Sequence, residues 1–202
     1  MLFRSTGGMG AYAPAPVVTD ALRERIAGEV LRPTVAGMAA DGVPFRGVLY
    51  AGLMIVDGEP LVLEYNVRFG DPECQPLLAL LDEDLLPLLR DAAAGRLEAR
   101  DLAWRDGAAL CVVLASEGYP GSYRKGLEIE GLDALAGRDD VVVFHAGTRR
   151  ESGRLVTSGG RVLGVTGRGA GLDAAARAAY DAARHVRFDG ARMRRDIGHR
   201  AL

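Results

Sequence analysis

Glu64-Tyr65-Asn66-Val67-Arg68-Phe69-Gly70-Asp71-Pro72-Glu73 concentrates carboxylates, an amide, a guanidinium and a Gly-Asp-Pro turn in ten positions. Glu64, Asn66 and Arg68 are spaced i, i+2, i+4, so a β-strand would turn all three to one face. That face cannot be ordinary core, because burying such groups unpaired costs several kcal/mol each. Tyr65, Val67 and Phe69 fall on the opposite face and offer apolar packing. One side anchors the strand; the other presents hard oxygen ligands beside a fixed positive charge. This layout suits Mg²⁺ with a phosphate or carboxylate.

The flanking sequence places the stretch at the end of a hairpin. Val48 to Val56 is almost continuously apolar, Asp57-Gly58 is a two-residue turn signal, and Leu61-Val62-Leu63 begins the return strand. A hairpin over about 46–67 is therefore predicted, with the polar triplet emerging from a buried scaffold that could present a site. An exposed strand of mixed polarity could carry Glu64 and Asn66 without any function. The apolar run before them argues against that reading.

These residues also carry a family resemblance. Glu64 to Glu73 resembles the signature of the phosphoribosylamine–glycine ligases, the glycinamide ribonucleotide synthetases, which are ATP-grasp enzymes of purine synthesis. Thr6-Gly7-Gly8-Met9-Gly10-Ala11-Tyr12-Ala13-Pro14-Ala15-Pro16 is similar to that family's glycine-rich loop, and Tyr50-Ala51-Gly52-Leu53-Met54 to its hairpin strand. Gly118-Tyr119-Pro120-Gly121, Phe144-His145-Ala146-Gly147-Thr148 and Asp196-Ile197-Gly198 match further points in the same order. The resemblance covers residues 6 to 202 and only the C-terminal half of the family's chain. Met1 to Ser5 departs from the pattern, with Ser where the family has Asn; a truncated gene model and a longer native chain are the expectation.

The resemblance implies an α+β fold. Residues 1–104 would be the second half of an ATP-grasp module, an antiparallel sheet with flanking helices, and 105–202 a small β-rich domain. It implies that ATP phosphorylates the carboxylate of glycine and that the amine of 5-phosphoribosylamine attacks the acyl phosphate. Glu64 and Asn66 would then ligate Mg²⁺ or Mn²⁺, and Arg68 would meet the glycine carboxylate and γ-phosphate. Asp71 and Glu73 would orient Arg68 or bind the incoming amine, with Arg68 and Asp71 the catalytic pair. Gly7, Gly8, Met9 and Gly10 would lie near the amine and amino-acid substrates. The family's phosphate-gripping lysines would come from the missing N-terminal half. Two other readings stay open: a different ATP-grasp carboxylate–amine ligase, and a non-catalytic remnant serving as a binding module.

Composition narrows the classes further. The 202 residues are 49% hydrophobic and 26% charged, close to globular averages. A net charge of −2 argues against a broad nucleic-acid footprint. No apolar run reaches the length of a membrane span and the N-terminus lacks a signal-peptide pattern, so a cytoplasmic protein is expected. Cys74 and Cys111 form neither a disulfide framework nor a zinc set. His145, His185 and His199 sit in no metal motif, and His145 reads as a structural residue at a strand end. Gly7-Gly8-Met9-Gly10 has no Lys and is no Walker motif; without the resemblance it would read as a flexible loop. Gly167-Arg168-Gly169-Ala170-Gly171 hints at a dinucleotide fingerprint. Its third Gly falls one residue early, so a strand-to-helix turn is the better account. Tyr119, Tyr123, Arg124 and Lys125, clustered in a Pro-Gly turn, form either a surface loop or a wall of the substrate cleft.

Patterning supplies the remaining elements. Thr19 can cap a helix with Leu22, Ile26 and Val30 on its apolar face, kinked or restarted at Pro33 and ended by Asp41-Gly42. Pro76 to Leu89 predicts two short Leu-rich helices broken near Asp82-Glu83-Asp84, and Ala92 to Arg100 a further helix or turn. Ala108 to Ala115 predicts a buried strand. Shorter strands are expected near 127–130, 141–146, 154–157 and 161–166, and a last helix over Leu172 to His185.

Overall fold

The run Ala108–Ser116, buried at all nine positions, is the spine of the main sheet. A strand covered on both faces reads as a continuous apolar run rather than an alternating one. The computed structural model describes residues 4, 5 and 7–202; Met1, Leu2, Phe3 and Thr6, the first residue of the glycine-rich loop, lie outside the described residues. In chain order the strands are β1 (Arg4–Ser5), β2 (Gly10–Ala13), β3 (Tyr50–Val56), β4 (Glu59–Asn66), β5 (Ala108–Ser116), β6 (Val141–His145), β7 (Thr148–Glu151), β8 (Arg154–Thr157), β9 (Arg161–Gly169) and β10 (Ala191–Arg192). The helices are α1 (Asp20–Arg25), α2 (Arg32–Ala40), α3 (Cys74–Leu80), α4 (Leu85–Ala93) and α5 (Leu172–His185), with a π-helical turn over Ile26–Leu31 and a 3₁₀ turn over Leu132–Leu135. The fold is α+β with antiparallel sheets, as expected.

The main sheet runs β1-β2-β5-β9-β6, with β10 pairing to the end of β5, and every pairing is antiparallel. It draws β1 and β2 from ahead of residue 104 and the other strands from beyond it. On one face lies α5, whose Ala175, Ala179, Ala182 and Ala183 are buried against strand residues such as Leu110, Val112, Val162 and Val165. An alanine face brings a helix close to a sheet. At Gly167 the approach is closer still, because a Cβ there would collide with the α5 backbone at Ala175 and Ala179. The other face is covered by α3, where Ala79 and Leu80 pack on Ala13 and Ala109.

The hairpin β3–β4 stands apart as a two-stranded sheet. Asp57 (φ +50°) and Gly58 (φ +82°) both take the left-handed conformation that a tight two-residue turn needs. The hairpin is tied to the preceding helices by polar contacts: Arg25 Nη2 lies 2.7 Å from Glu59 Oε2, and the Thr34 hydroxyl lies 2.9 Å from the Tyr65 hydroxyl. The expectation of a buried hairpin fails. Leu61, Val62, Leu63, Tyr65 and Val67 are exposed, Val67 by 74%. Their apolar character does not become packing within this chain, and that is what the pattern alone could not reveal.

Most other elements fall where expected. The Thr19 hydroxyl accepts from Leu22 N at 3.2 Å, Leu22, Ile26 and Val30 are buried, and Pro33 lies in the first turn of α2. The Leu-rich stretch forms α3 and α4, interrupted between Leu81 and Asp84. Pro33 restarts the helix, as expected, the chain passing from α1 to α2 through the π-helical turn. Beyond Ala93 the segment expected as helix or turn forms a turn at 94–95 and no further helix up to Arg100. One detail differs. The strand expected near 127–130 is reduced to isolated bridges from Glu128 to Val156 and Glu130 to Arg187. Among the described residues no helix is long and apolar enough to cross a membrane.

Candidate active site

Glu64 and Asn66 lie on β4 opposite Gly52 and Tyr50 of β3. Asn66 Nδ2 donates to Glu64 Oε1 at 3.1 Å, so the same-face spacing does bring the two together. Gly52 makes room for the Glu64 side chain, since a Cβ there would stand 2.9 Å from Glu64 Cγ. The pairing register shifts between Gly52 and Leu53, leaving Leu63 as an extra residue on β4. Leu63 and Glu64 both line one cavity. The cavity has a volume of about 900 Å³ and is also bounded by Ile26, Leu53, Phe69, Leu77 and Arg200. Burial pushes the Tyr50 hydroxyl above the usual phenol range, with the carboxylates of Glu73 and Glu64 adding to the effect.

Arg68 is not on the strand. β4 ends at Asn66, and Arg68 sits in the bend that follows, exposed, with Nη1 donating to Phe69 O at 2.9 Å. Chain reversal toward the Gly-Asp-Pro turn ends the β conformation before the third member of the triplet. The turn itself runs straight into α3, closed by Cys74 N donating to Gly70 O at 3.0 Å. Glu73 is 7% exposed and its carboxylate packs over Gly70. The Asp71 carboxylate is engaged on both oxygens, by Gln75 Nε2 at 3.0 Å and by Arg161 Nη2 at 3.1 Å. Its partner is thus Arg161, not Arg68.

Of the glycine-rich loop, Gly10 belongs to β2, pairs with Val112 and is covered by Ile197. Met9 O accepts from Val113 N at 3.1 Å, and Gly8 O accepts from Arg161 Nη1 at 3.1 Å. Gly7 is exposed. Two groupings result. Glu64, Asn66 and Tyr50 gather at the hairpin end, while Gly8, Asp71, Gln75 and Arg161 gather at the head of β9. The turn from Arg68 to Glu73 joins them.

Comparison with known proteins bears on this arrangement. The model of the phosphoribosylglycinamide synthetase ATP-grasp (A) domain matches residues 4–74, and that of the phosphoribosylglycinamide synthetase C domain matches 109–200. The phosphoribosylamine–glycine ligase of Caulobacter vibrioides is 56% identical over 200 residues, 98% of this chain and 47% of that protein. That of Synechocystis sp. is 52% identical over 98% of this chain and 48% of its own length. The chain belongs to the phosphoribosylamine–glycine ligase family. It spans about half the length of the curated relatives it matches. The crystal structure of the family member from Thermotoga maritima superposes with a TM-score of 0.80 at 37% identity, covering 96% of this chain and 47% of that one. A biotin carboxylase domain from Hydrogenobacter thermophilus shares the fold, with a TM-score of 0.66 at 16% identity over 92% of this chain and 40% of its own.

Three side chains of this phosphoribosylamine–glycine ligase family chain escape a reading of the sequence. Tyr50 looks like strand packing, and Gln75 like an exposed helical residue. Arg161 heads an apolar strand after Ser158-Gly159-Gly160, where an Arg ordinarily reads as a solvated end. The only local hint is that paired glycines precede it. His145 does end β6 and bonds through Nδ1 to the Thr148 hydroxyl at 3.0 Å, in keeping with a structural role. Among the described residues no three His, Cys, Asp or Glu side chains converge as a metal cluster.

Proposed function

We propose that this chain forms part of an ATP-dependent ligase joining glycine to 5-phosphoribosylamine, with glycinamide ribonucleotide, ADP and phosphate as products. The observation that carries the reading is the Glu64–Asn66 pair, whose Glu64 lines a cavity, in a chain 56% identical to a named ligase of this activity. The reading assigns residues 1–104 to the catalytic unit and 105–202 to a second unit. The half of the family's chain that precedes the matched region in the relatives completes the nucleotide site. A cytoplasmic setting goes with these small-molecule substrates, and neither nucleic acid nor membrane is needed.

The residues present fit a divalent ion in part. Glu64 offers a carboxylate and Asn66 an amide oxygen within one hydrogen-bonded pair, both hard donors of the kind Mg²⁺ or Mn²⁺ prefers. Rotating the Asn66 amide would turn its oxygen to the same side as Glu64. Such an ion, when bound, neutralises charge on phosphate oxygens as the phosphoryl group is transferred. Arg68, free of a carboxylate partner among the described contacts, presents a planar fork to the glycine carboxylate and γ-phosphate. Glu73 and Tyr50 wall the turn behind it. Asp71, held by Arg161 and Gln75, fixes the floor on which the amine approaches.

The test is a chimera joining this chain to the preceding half of the Caulobacter vibrioides relative. ADP release is measured with ATP, glycine and phosphoribosylamine, each omitted in turn. Release that requires all three is expected, and glycine-independent turnover, or none from a folded chimera, would refute the reading.

A further inference from the structure

We propose that Arg161 is a positioning residue of the candidate site, holding the Gly8–Met9 peptide and the Asp71 carboxylate in one arrangement. The proposal deepens the ligase reading and rests on it. Arg161 stands 153 positions from Gly8 and 90 from Asp71, yet it binds both. Nη1 donates to Gly8 O at 3.1 Å and to Asp71 O at 2.6 Å, while Nη2 donates to Asp71 Oδ2 at 3.1 Å. One planar guanidinium therefore closes on three oxygens from two separate segments. A Lys ammonium, a point donor on a flexible stem, cannot reproduce that fork.

The base of the side chain is held, while its Gly8 target is not fixed locally. Arg161 begins β9, and its carbonyl accepts from Gly147 N at 2.9 Å. Beside it, Gly160 is packed so tightly under the Tyr119 and Tyr123 rings that a Cβ would collide with them, and Gly159 lies against the backbone of Gly147. This gives the Tyr-Pro-Gly segment a role that its sequence left undecided: it buttresses the strand end that carries Arg161. Gly8, by contrast, sits at φ +74° next to another glycine, so the loop does not fix its own peptide planes.

Two consequences follow for the site. A trans peptide points its C=O and N–H in opposite directions. With Gly8 O turned to Arg161, the Met9 N–H points to the other side of the loop, where it can donate to a substrate oxygen. Meanwhile Asp71, taken by Arg161 and Gln75, does not neutralise Arg68, whose charge stays available for an anion.

The experiment has two arms. In the first, hydrogen exchange is followed in this chain and its Arg161→Gln and Arg161→Lys variants. Amides of residues 7–10 and 70–75 should exchange at least about tenfold faster in both variants, the factor expected for one lost charge-assisted hydrogen bond. Amides of β5 and α5 should be unchanged in the Lys variant, which decides the matter if the Gln variant unfolds. In the second arm, the same substitutions enter the chimera. A loss of kcat on the order of 100-fold, with KM for ATP unchanged, is expected from misplaced reacting groups. Wild-type exchange at residues 7–10 and 70–75 in the Lys variant, or wild-type kcat, would overturn the proposal. An inactive wild-type chimera would instead count against the ligase reading, with the exchange arm still deciding whether Arg161 orders the loop.

Discussion

Asn66 Nδ2 donates to Glu64 Oε1 at 3.1 Å, two positions apart on one strand. In the proposed metal site, with the Asn66 amide rotated so that its oxygen faces the ion, the two members are not equivalent. Glu64→Ala removes charge and geometry together. In the chimera it should lower ligation by at least about 100-fold at low Mg²⁺, on the scale of losses seen when metal sites are weakened. Asn66→Ala removes one neutral oxygen and should cost less. An undiminished rate for Glu64→Ala across an Mg²⁺ titration would take Glu64 out of the mechanism.

Arg68 lies past the end of β4 and makes its hydrogen bond to Phe69 O. Arg68→Lys keeps the charge and loses the two parallel donors. Single-turnover formation of acyl phosphate in the chimera should stay far below wild type. A near-normal rate would reduce Arg68 to a steering charge. The fold should not register the change, because the side chain is exposed, and an unaltered melting temperature is the control.

What the sequence made legible was local. The two-residue turn at Asp57-Gly58, the Thr19 cap, the buried run of β5 and the alternation linking Glu64 to Asn66 are all set by neighbours within a few positions. What it hid was long-range. Nothing near Gly8 or Asp71 announces Arg161, because the contact is made by β9 pairing beside β5, and β5 beside β2. The exposed hairpin has a related cause: an apolar run reports that burial is favourable, not whether the covering surface lies within these residues. The i, i+2, i+4 spacing puts Arg68 on the strand because spacing carries no information on where the chain turns.

Gly70 is the tightest point of the turn. A Cβ there would stand 2.8 Å from Tyr50 Cε2 and 2.9 Å from Glu73 Cδ. Both neighbours are held, Glu73 by burial and Tyr50 by strand pairing. Gly70→Ala should therefore destabilise by about 1–3 kcal/mol, as overpacking does. Urea unfolding measures it, and a wild-type midpoint would mean that the turn yields freely.

Cys111 is buried in β5, and desolvation pushes its thiol from 9.0 to about 12. The folded chain thus keeps a proton that the unfolded chain loses sooner. This contribution is complete below pH 9 and fades as the pH rises toward about 12. Between those values stability should fall, and Cys111→Ala should show a shallower decline, though from a lower start. Tyr50 and Tyr180, whose hydroxyls burial also raises, leave part of the slope in place. Denaturation midpoints at pH 8, 10 and 11 test this, and parallel slopes would sink it. Native Cys111 should also resist thiol reagents at pH 8 until the chain unfolds.

The glycines of Gly167-Arg168-Gly169 suggest a nucleotide loop in sequence, but the space they open is filled by protein. A Cβ on Gly167 would stand 2.9 Å from Ala178 Cβ and closer still to the backbone of Ala175 and Ala179. One on Gly169 would come within 2.7 Å of Ala175 N. Backbone cannot swing aside as a side chain can, so α5 would have to lift from β9, along with the alanines that pack beneath it. Gly167→Ala should therefore cost about 3 kcal/mol or more, the upper range for overpacking. At roughly 2–4 °C per kcal/mol for a chain of this size, the melting temperature should drop by about 6–12 °C. Gly171→Ala is the matched control, since a Cβ there meets nothing within 4 Å. If Gly167→Ala melts with wild type, the helix does not rest on the strand as described. If it melts normally and weakens nucleotide binding in the chimera, the glycines serve a ligand after all.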